Sequence, residues 1–95
     1  MTITVTLNLL GVRPFQLLEE TMTFDAATLP TLSHVIDRVD RRNPGFRAAM
    51  LDDGGRLSRQ FAFLINGMNA DYSGGITAPL AAADVINVIP AIAGG

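Results

Sequence analysis

The chain contains no cysteine, which excludes disulfides, thiolate metal sites and cysteine nucleophiles together. A reducing cytoplasm is compatible with that absence, and a cytoplasmic protein is the expectation. Lysine is absent as well, so all seven Lys and Arg positions are arginine. The chain therefore cannot be extended by isopeptide bonds to its own lysines, although an arginine-rich genome accounts for the same bias. No apolar run approaches the roughly 20 residues that a membrane helix needs. The N-terminus lacks the charged and apolar regions of a signal peptide, so the mature chain is expected to be the whole chain. An excess of positive charge is lacking too: 7 basic against 9 acidic residues give a net charge of −2, which leaves no footprint for nucleic acid. No phosphate-binding loop, catalytic triad or metal-ligand spacing occurs.

What remains is a globular composition. Of the 95 residues 48% are apolar and only 17% charged, enough for one domain with a modest core. Thr2 to Leu10 alternates without interruption, with Ile3, Val5, Leu7 and Leu9 on one face and Thr2, Thr4, Thr6 and Asn8 on the other. Period two with β-branched residues predicts a half-buried strand. Gly11 to Pro14 supplies a turn. A looser alternation from Gln16 to Phe24 puts Leu18, Met22 and Phe24 inward and Glu19, Thr21 and Thr23 outward. Two such segments with a short connection predict an antiparallel hairpin.

Asp25 to Pro30 is a loop into one convincing helix, about Thr31 to Arg42, with an apolar stripe of Leu32, Val35, Ile36 and Val39. His34, Asp37, Arg38 and Arg41 lie opposite, and the spacing pairs Asp37 with Arg41. Thr28 is the expected cap, with Pro30 in the first turn. Asn43-Pro44-Gly45 stops the helix. Phe46 and Met50 should return to the core from an irregular stretch before the exposed turn Asp52-Asp53-Gly54-Gly55-Arg56. Phe61 to Ile65 is apolar on both faces, which predicts a central or well-covered strand, and Asn66-Gly67 favours a tight turn after it. Asn69 to Pro79 reads as connection, with an edge strand around Ala70 to Tyr72. Asp84 to Ile89 is the last strand. One helix over a four- or five-stranded mixed sheet gives a two-layer α+β domain spanning 1–90.

Beyond it residues 91–95 form a tail. Pro90 cannot donate to a ladder, so pairing should stop there. Ala91-Ile92-Ala93-Gly94-Gly95 then presents small side chains and a free α-carboxylate on a thin, flexible stalk of about 17 Å if extended. Diglycine alone is a weak signal, since Gly54-Gly55 and Gly74-Gly75 recur inside the chain. Position at the end gives Gly94-Gly95 its interest.

This order, ending in a strand and diglycine, resembles the ubiquitin-like β-grasp fold. More narrowly it resembles the ThiS/MoaD-type bacterial sulfur carriers, which include the thiazole-synthesis carrier and the small subunit of molybdopterin synthase. The residues that carry the resemblance are Phe63-Leu64-Ile65-Asn66-Gly67, Asp71 to Leu80, and Asp84 to Pro90 with the tail. Ser73-Gly74-Gly75, Arg13-Pro14-Phe15 and Pro90-Ala91-Ile92-Ala93-Gly94-Gly95 look most like the CysO-like carrier branch of actinobacterial cysteine biosynthesis. One departure is Ala83-Asp84, where the family usually has Gly-Asp.

The resemblance implies that Gly95 is the reacting residue, as acyl adenylate and then thiocarboxylate, with Gly94 beside it. Pro90, Ala91, Ile92 and Ala93 would be the partner-binding tail. ATP would be used by an adenylating enzyme of the MoeB type, with no cofactor or metal held by this chain. Sulfide or a persulfide would displace AMP, and the sulfur would pass to an acceptor such as a PLP-dependent cysteine synthase or the large subunit of molybdopterin synthase. On this reading the protein is a monomeric carrier and a substrate, not an enzyme. Cysteine, thiamin, molybdopterin and siderophore-like pathways all remain open. Two rival readings are a ubiquitin-like modifier joined to lysines through Gly95, and a plain interaction module with an inert tail.

Other chemistry-bearing residues read as ordinary. His34 stands alone on the polar helix face, and Asp52-Asp53 has no second carboxylate cluster near it, so both are expected to be solvated. Arg38, Arg41, Arg42 and Arg47 belong to a surface of mixed sign. Phe61, Phe63 and Ile65 are core. Whichever of Ile86 and Val88 is exposed is the better candidate for a partner patch.

Overall fold

The computed structural model describes residues 1–12, 15 and 19–91. Strand β1 spans Thr2–Leu9 and β2 Glu19–Asp25, paired antiparallel from Thr2↔Asp25 to Asn8↔Glu19. Helix α1 covers Leu32–Arg42 and is followed by the single-turn helix α2, Phe46–Met50. Strands β3 (Phe61–Ile65), β4 (Met68–Asn69) and β5 (Val85–Pro90) complete a sheet in the order β2-β1-β5-β3-β4. The first and last strands are neighbours and parallel, from Thr6↔Val85 to Leu9↔Val88, while β3 runs antiparallel to β5.

Alternation in β1 works as its sequence dictates. Val5, Leu7 and Leu9 are buried, Ile3 packs against them, and the threonines turn outward. The stripe Leu32, Val35, Ile36 and Val39 lies wholly in the same core as Val5, Leu7, Phe63 and Val88. Phe46 and Met50 do return to this core, at 1% and 0% exposure, but from α2 rather than from irregular chain. A helical turn places positions i and i+4 of a short segment on one side, which lets both reach the core. Phe15 meets Phe46 edge-on, with ring centroids 5.1 Å apart.

Several local expectations are corrected. The helix cap is Thr31, not Thr28: His34 reaches back so that its Nδ1 accepts from the Thr31 N–H at 2.8 Å. Thr28 instead donates its hydroxyl to the Asp25 carbonyl, closing a 3-10 turn at Ala26–Thr28. Pro30 precedes the cap, is buried, and accepts from Leu80 N–H rather than sitting in the first turn. Asp37 pairs with Arg47 of α2, not with Arg41, because the tertiary approach of α2 supplies a nearer guanidinium. The edge strand is Met68–Asn69; Ala70–Ser73 is a 3-10 turn whose first residue is buried against the core. Asn66 and Gly67 both adopt positive φ, as a tight hairpin turn requires.

The inward expectation for β2 omitted one residue. Glu20 shares the inward face with Met22 and Phe24, is 8% exposed, and is held by an ion pair to Arg42 at the end of α1. Its Oε2 is buried without a partner among the described residues. The Gln16–Leu18 part of the expected strand, and Arg13-Pro14 of the turn before it, lie outside the described residues.

Candidate functional site

The candidate site begins where β5 ends. Pairing does not stop at Pro90: Pro90 is in register with Phe61, and the Ala91 N–H donates to the Gln60 carbonyl at 2.9 Å. A proline lacks a donor but leaves the next residue free to supply one, so the ladder crosses it. The chain that leads to the tail is thus held until Ala91. On the other side, Leu10 N–H donates to the Val88 carbonyl, one residue past the end of β1. Gly11 follows with φ +76°, and a Cβ there would sit 3.8 Å from the Pro90 ring.

β5 is the central strand of five, clamped by β1 and β3. Its start is fixed by Asn66, which donates Nδ2–H to the Asp84 carboxylate at 2.8 Å and accepts the Val85 N–H at 2.9 Å. Asp84 also accepts from the Ala81 N–H. Of the tail, Pro90 and Ala91 are exposed. Ile92, Ala93, Gly94 and Gly95 lie outside the described residues.

The inward face of β5 is Ile86 and Val88, both essentially without exposure, so neither can offer a partner patch. The open face of the sheet carries Val85 and Ile89 of β5 beside Ala62 and Leu64 of β3. Between them Asn8 donates to Asn87 across the parallel pair at 2.9 Å. That face is an apolar ridge around a polar pair, leading toward Pro90. Period two would have located it had Asn87, rather than the apolar residues, been taken as the outward marker.

The remaining candidates fall elsewhere. His34 is exposed, and its ring accepts the N–H of the helix cap Thr31. Asp52 Oδ1 accepts from the N–H groups of Gly54 and Arg56, so it shapes its own turn, and Asp53 is exposed. Among the described residues no cluster of three His, Asp or Glu could hold a metal, and no helix is long and apolar enough to cross a membrane. Phe63 is buried, with Phe61 and Ile65 packed against the core beside it.

Comparisons place these features. The model of the ThiS family matches residues 13–95. Comparison with curated proteins finds no match. Among solved structures, Mycobacterium tuberculosis CysO has a TM-score of 0.77 at 24% identity, over 93% of this chain and 99% of that one. Small archaeal modifier protein 1 of Methanosarcina acetivorans has a TM-score of 0.75 at 19% identity, covering 100% and 99%. The Amycolatopsis orientalis BexX/CysO complex gives 0.66 at 23% identity, over 96% and 99%. At these identities the likeness fixes the fold, a mixed five-stranded β-grasp sheet with one main helix.

Proposed function

The chain belongs to the ThiS family, and from that premise we propose that it carries sulfur as a thiocarboxylate on Gly95. The observation that carries this reading is the rooting of the tail. β5 is the central strand, and its last described hydrogen bond is made by Ala91, four residues before Gly95. Four residues reach at most about 14 Å, so a carboxylate carried from so rigid a base stays within that distance of Ala91. A partner enzyme that holds the domain therefore has only a short tether left to orient.

A carboxylate is a poor acyl donor in water because its charge is delocalised. Its oxygen attacks the α-phosphorus of ATP on an adenylating enzyme of the MoeB type, and pyrophosphate leaves. Sulfide then adds to the acyl carbon and AMP departs, leaving the thiocarboxylate and a released proton. The soft sulfur is next donated to a biosynthetic acceptor, of the cysteine-synthase, molybdopterin-synthase or thiamin-forming type. ATP belongs to the activating enzyme; this chain supplies the acyl group and a recognisable handle. The apolar ridge Ala62, Leu64, Val85 and Ile89 gives that handle a surface contiguous with the tail.

Deleting Gly95 tests this reading. Among the described residues no core residue lies beyond Val88, and the shortened chain should melt as the intact one does. Its carboxylate would fall about 3.5 Å short, enough to lose productive attack geometry. Gly94→Val should fold normally and fail because a branched side chain cannot enter a channel shaped for glycine. The assay is ATP-dependent pyrophosphate release with an adenylating enzyme and sulfide, followed by intact mass. Sulfur on the shortened chain would exclude Gly95 as the carrier residue.

A second reading is a modifier conjugated through Gly95, which the fold shared with the archaeal modifier protein keeps in view. Intact mass from cells separates the two. A carrier shows the small increase of sulfur replacing oxygen; a modifier shows adducts of protein size. An inert interaction module would tolerate trimming of residues 91–95 without loss.

A further inference from the structure

The free edge of β2 and the polar face of α1 enclose a groove unrelated to the tail. The hydrogen-bond pattern shows which backbone groups line it. In β1, Thr6 N–H donates to the Asp84 carbonyl and the Thr4 carbonyl accepts from Ala83 N–H, so the even-numbered residues turn their backbone toward β5. The odd-numbered residues, Val5 and Leu7, therefore turn toward β2, opposite Met22 and Glu20. By the same alternation Thr21 and Thr23 of β2 turn their N–H and C=O away from the sheet.

That edge is only partly closed. Arg38 Nη1 donates to the Thr23 carbonyl at 2.9 Å and the Thr28 hydroxyl to the Asp25 carbonyl at 2.7 Å. Among the described residues the Thr21 N–H and C=O and the Thr23 N–H have no protein partner. The other sheet edge, β4, is two residues long and runs straight into a 3-10 turn. Among the described residues β2, with Glu19, Thr21, Thr23 and Asp25 turned outward, is thus the longer of the two edge strands.

Across the edge lies a cavity of about 290 Å³ lined by Phe24, Thr28, His34, Asp37, Arg38 and Arg41. Arg38 stacks over Phe24, 4.1 Å from the ring centroid. Asp37, the one acid in this lining, is committed to Arg47, which leaves Arg41 with no ion pair among the described residues. The wall opposite the free strand edge is cationic.

We propose that this groove takes an acidic segment of another protein as an added strand on β2. The strand supplies main-chain bonds to Thr21 and Thr23. Its side chains alternate, so every second residue faces α1. Carboxylates at alternate positions are spaced about 7 Å apart, close to the roughly 5–6 Å between neighbours three apart on a helix such as Arg38 and Arg41. A carboxylate gives Arg38 a partner of opposite charge in place of the neutral Thr23 carbonyl, which frees that acceptor for the strand.

The test is amide-shift NMR of the full chain titrated with a blocked eight-residue peptide alternating Asp and Val. Saturable shifts at Thr21, Thr23, Arg38 and Arg41 are expected, weakening as salt is raised. Arg41→Glu should fold normally, since Arg41 is exposed, and bind about tenfold more weakly by loss of attraction and added repulsion. Two comparison peptides separate the two parts of the idea. Asn in place of Asp removes charge, and Pro in place of Val removes backbone donors at equal charge. Either one binding as well as the parent overturns the proposal, as does absence of binding. Shifts at the β2 edge that follow protein concentration alone would put a second copy there, and would overturn it as well.

Discussion

Ala83 holds a left-handed backbone, φ +68°, in the turn that launches β5. A Cβ in that region costs about 1–2 kcal/mol, and glycine escapes it. The turn survives because the fold over-determines it: Ala83 N–H donates to the Thr4 carbonyl at 2.8 Å, and Asp84 is held by Asn66 and Ala81. Ala83 is exposed, so removing its methyl sacrifices no core contact. Ala83→Gly should stabilise the protein by about 0.5–1 kcal/mol, the relieved strain less the extra freedom of glycine in the unfolded chain. That gain corresponds to a rise of roughly 2–6 °C in a domain of this size. Thermal melts decide the matter; a lower melting temperature would mean that strain does not govern the turn.

At the scale of an element, α1 begins on an arrangement that its sequence does not advertise. Helix N-termini leave donors without intrahelical partners. Here the cap residue's own N–H goes to the ring of His34, three positions on, where Glu or Gln commonly serves. Nδ1 is the acceptor of that bond. His34→Ala should cost about 1 kcal/mol, and His34→Gln should recover much of it because a carboxamide oxygen can accept the same bond. Chemical denaturation of the three proteins checks this. Equal stability of His34→Ala and the parent would mean that water replaces the ring without loss. The N-terminus of α1 is also stitched to the segment before β5, by Leu32 N–H to the Ala78 carbonyl and Leu80 N–H to the Pro30 carbonyl. Loss of the cap should therefore loosen residues 78–80 first, visible as faster amide exchange there.

At the scale of the whole molecule, one core joins helix and sheet, and Val39 lies inside it with no exposure. Val39→Asp would bury an unpaired carboxylate and should cost several kcal/mol, enough to unfold much of the population. A circular dichroism spectrum and melt like the parent's would show that the helix face is wrong. Stability of this kind is separable from transfer chemistry, since the last core residue among the described ones is Val88 and the proposed reacting group is Gly95. Core variants should lose sulfur loading only in proportion to the fraction unfolded, whereas tail variants should lose it while fully folded.

Periodicity and termination signals in the sequence determined the strands, the helix and its buried stripe, because those patterns arise from side-chain geometry within one element. Ile3 to Leu9, Leu32 to Val39 and the Asn66-Gly67 turn are of that kind. Tertiary structure alone decided what depends on neighbours distant in sequence. Asp37 chose Arg47 over Arg41 because α2 folds back beside it. Glu20 became an inward charge because the end of α1 brings Arg42 to it. The ladder crossed Pro90 because β3 places the Gln60 carbonyl opposite Ala91. Val85 and Ile89 share the parity of Asn87 and lie on the open face, whereas the burial of Ile86 and Val88 is completed by the helix stripe and the strands packed with them in one core. Local pattern specifies which residues share a face; only the packed sheet specifies which face meets the helix and which is left to a partner.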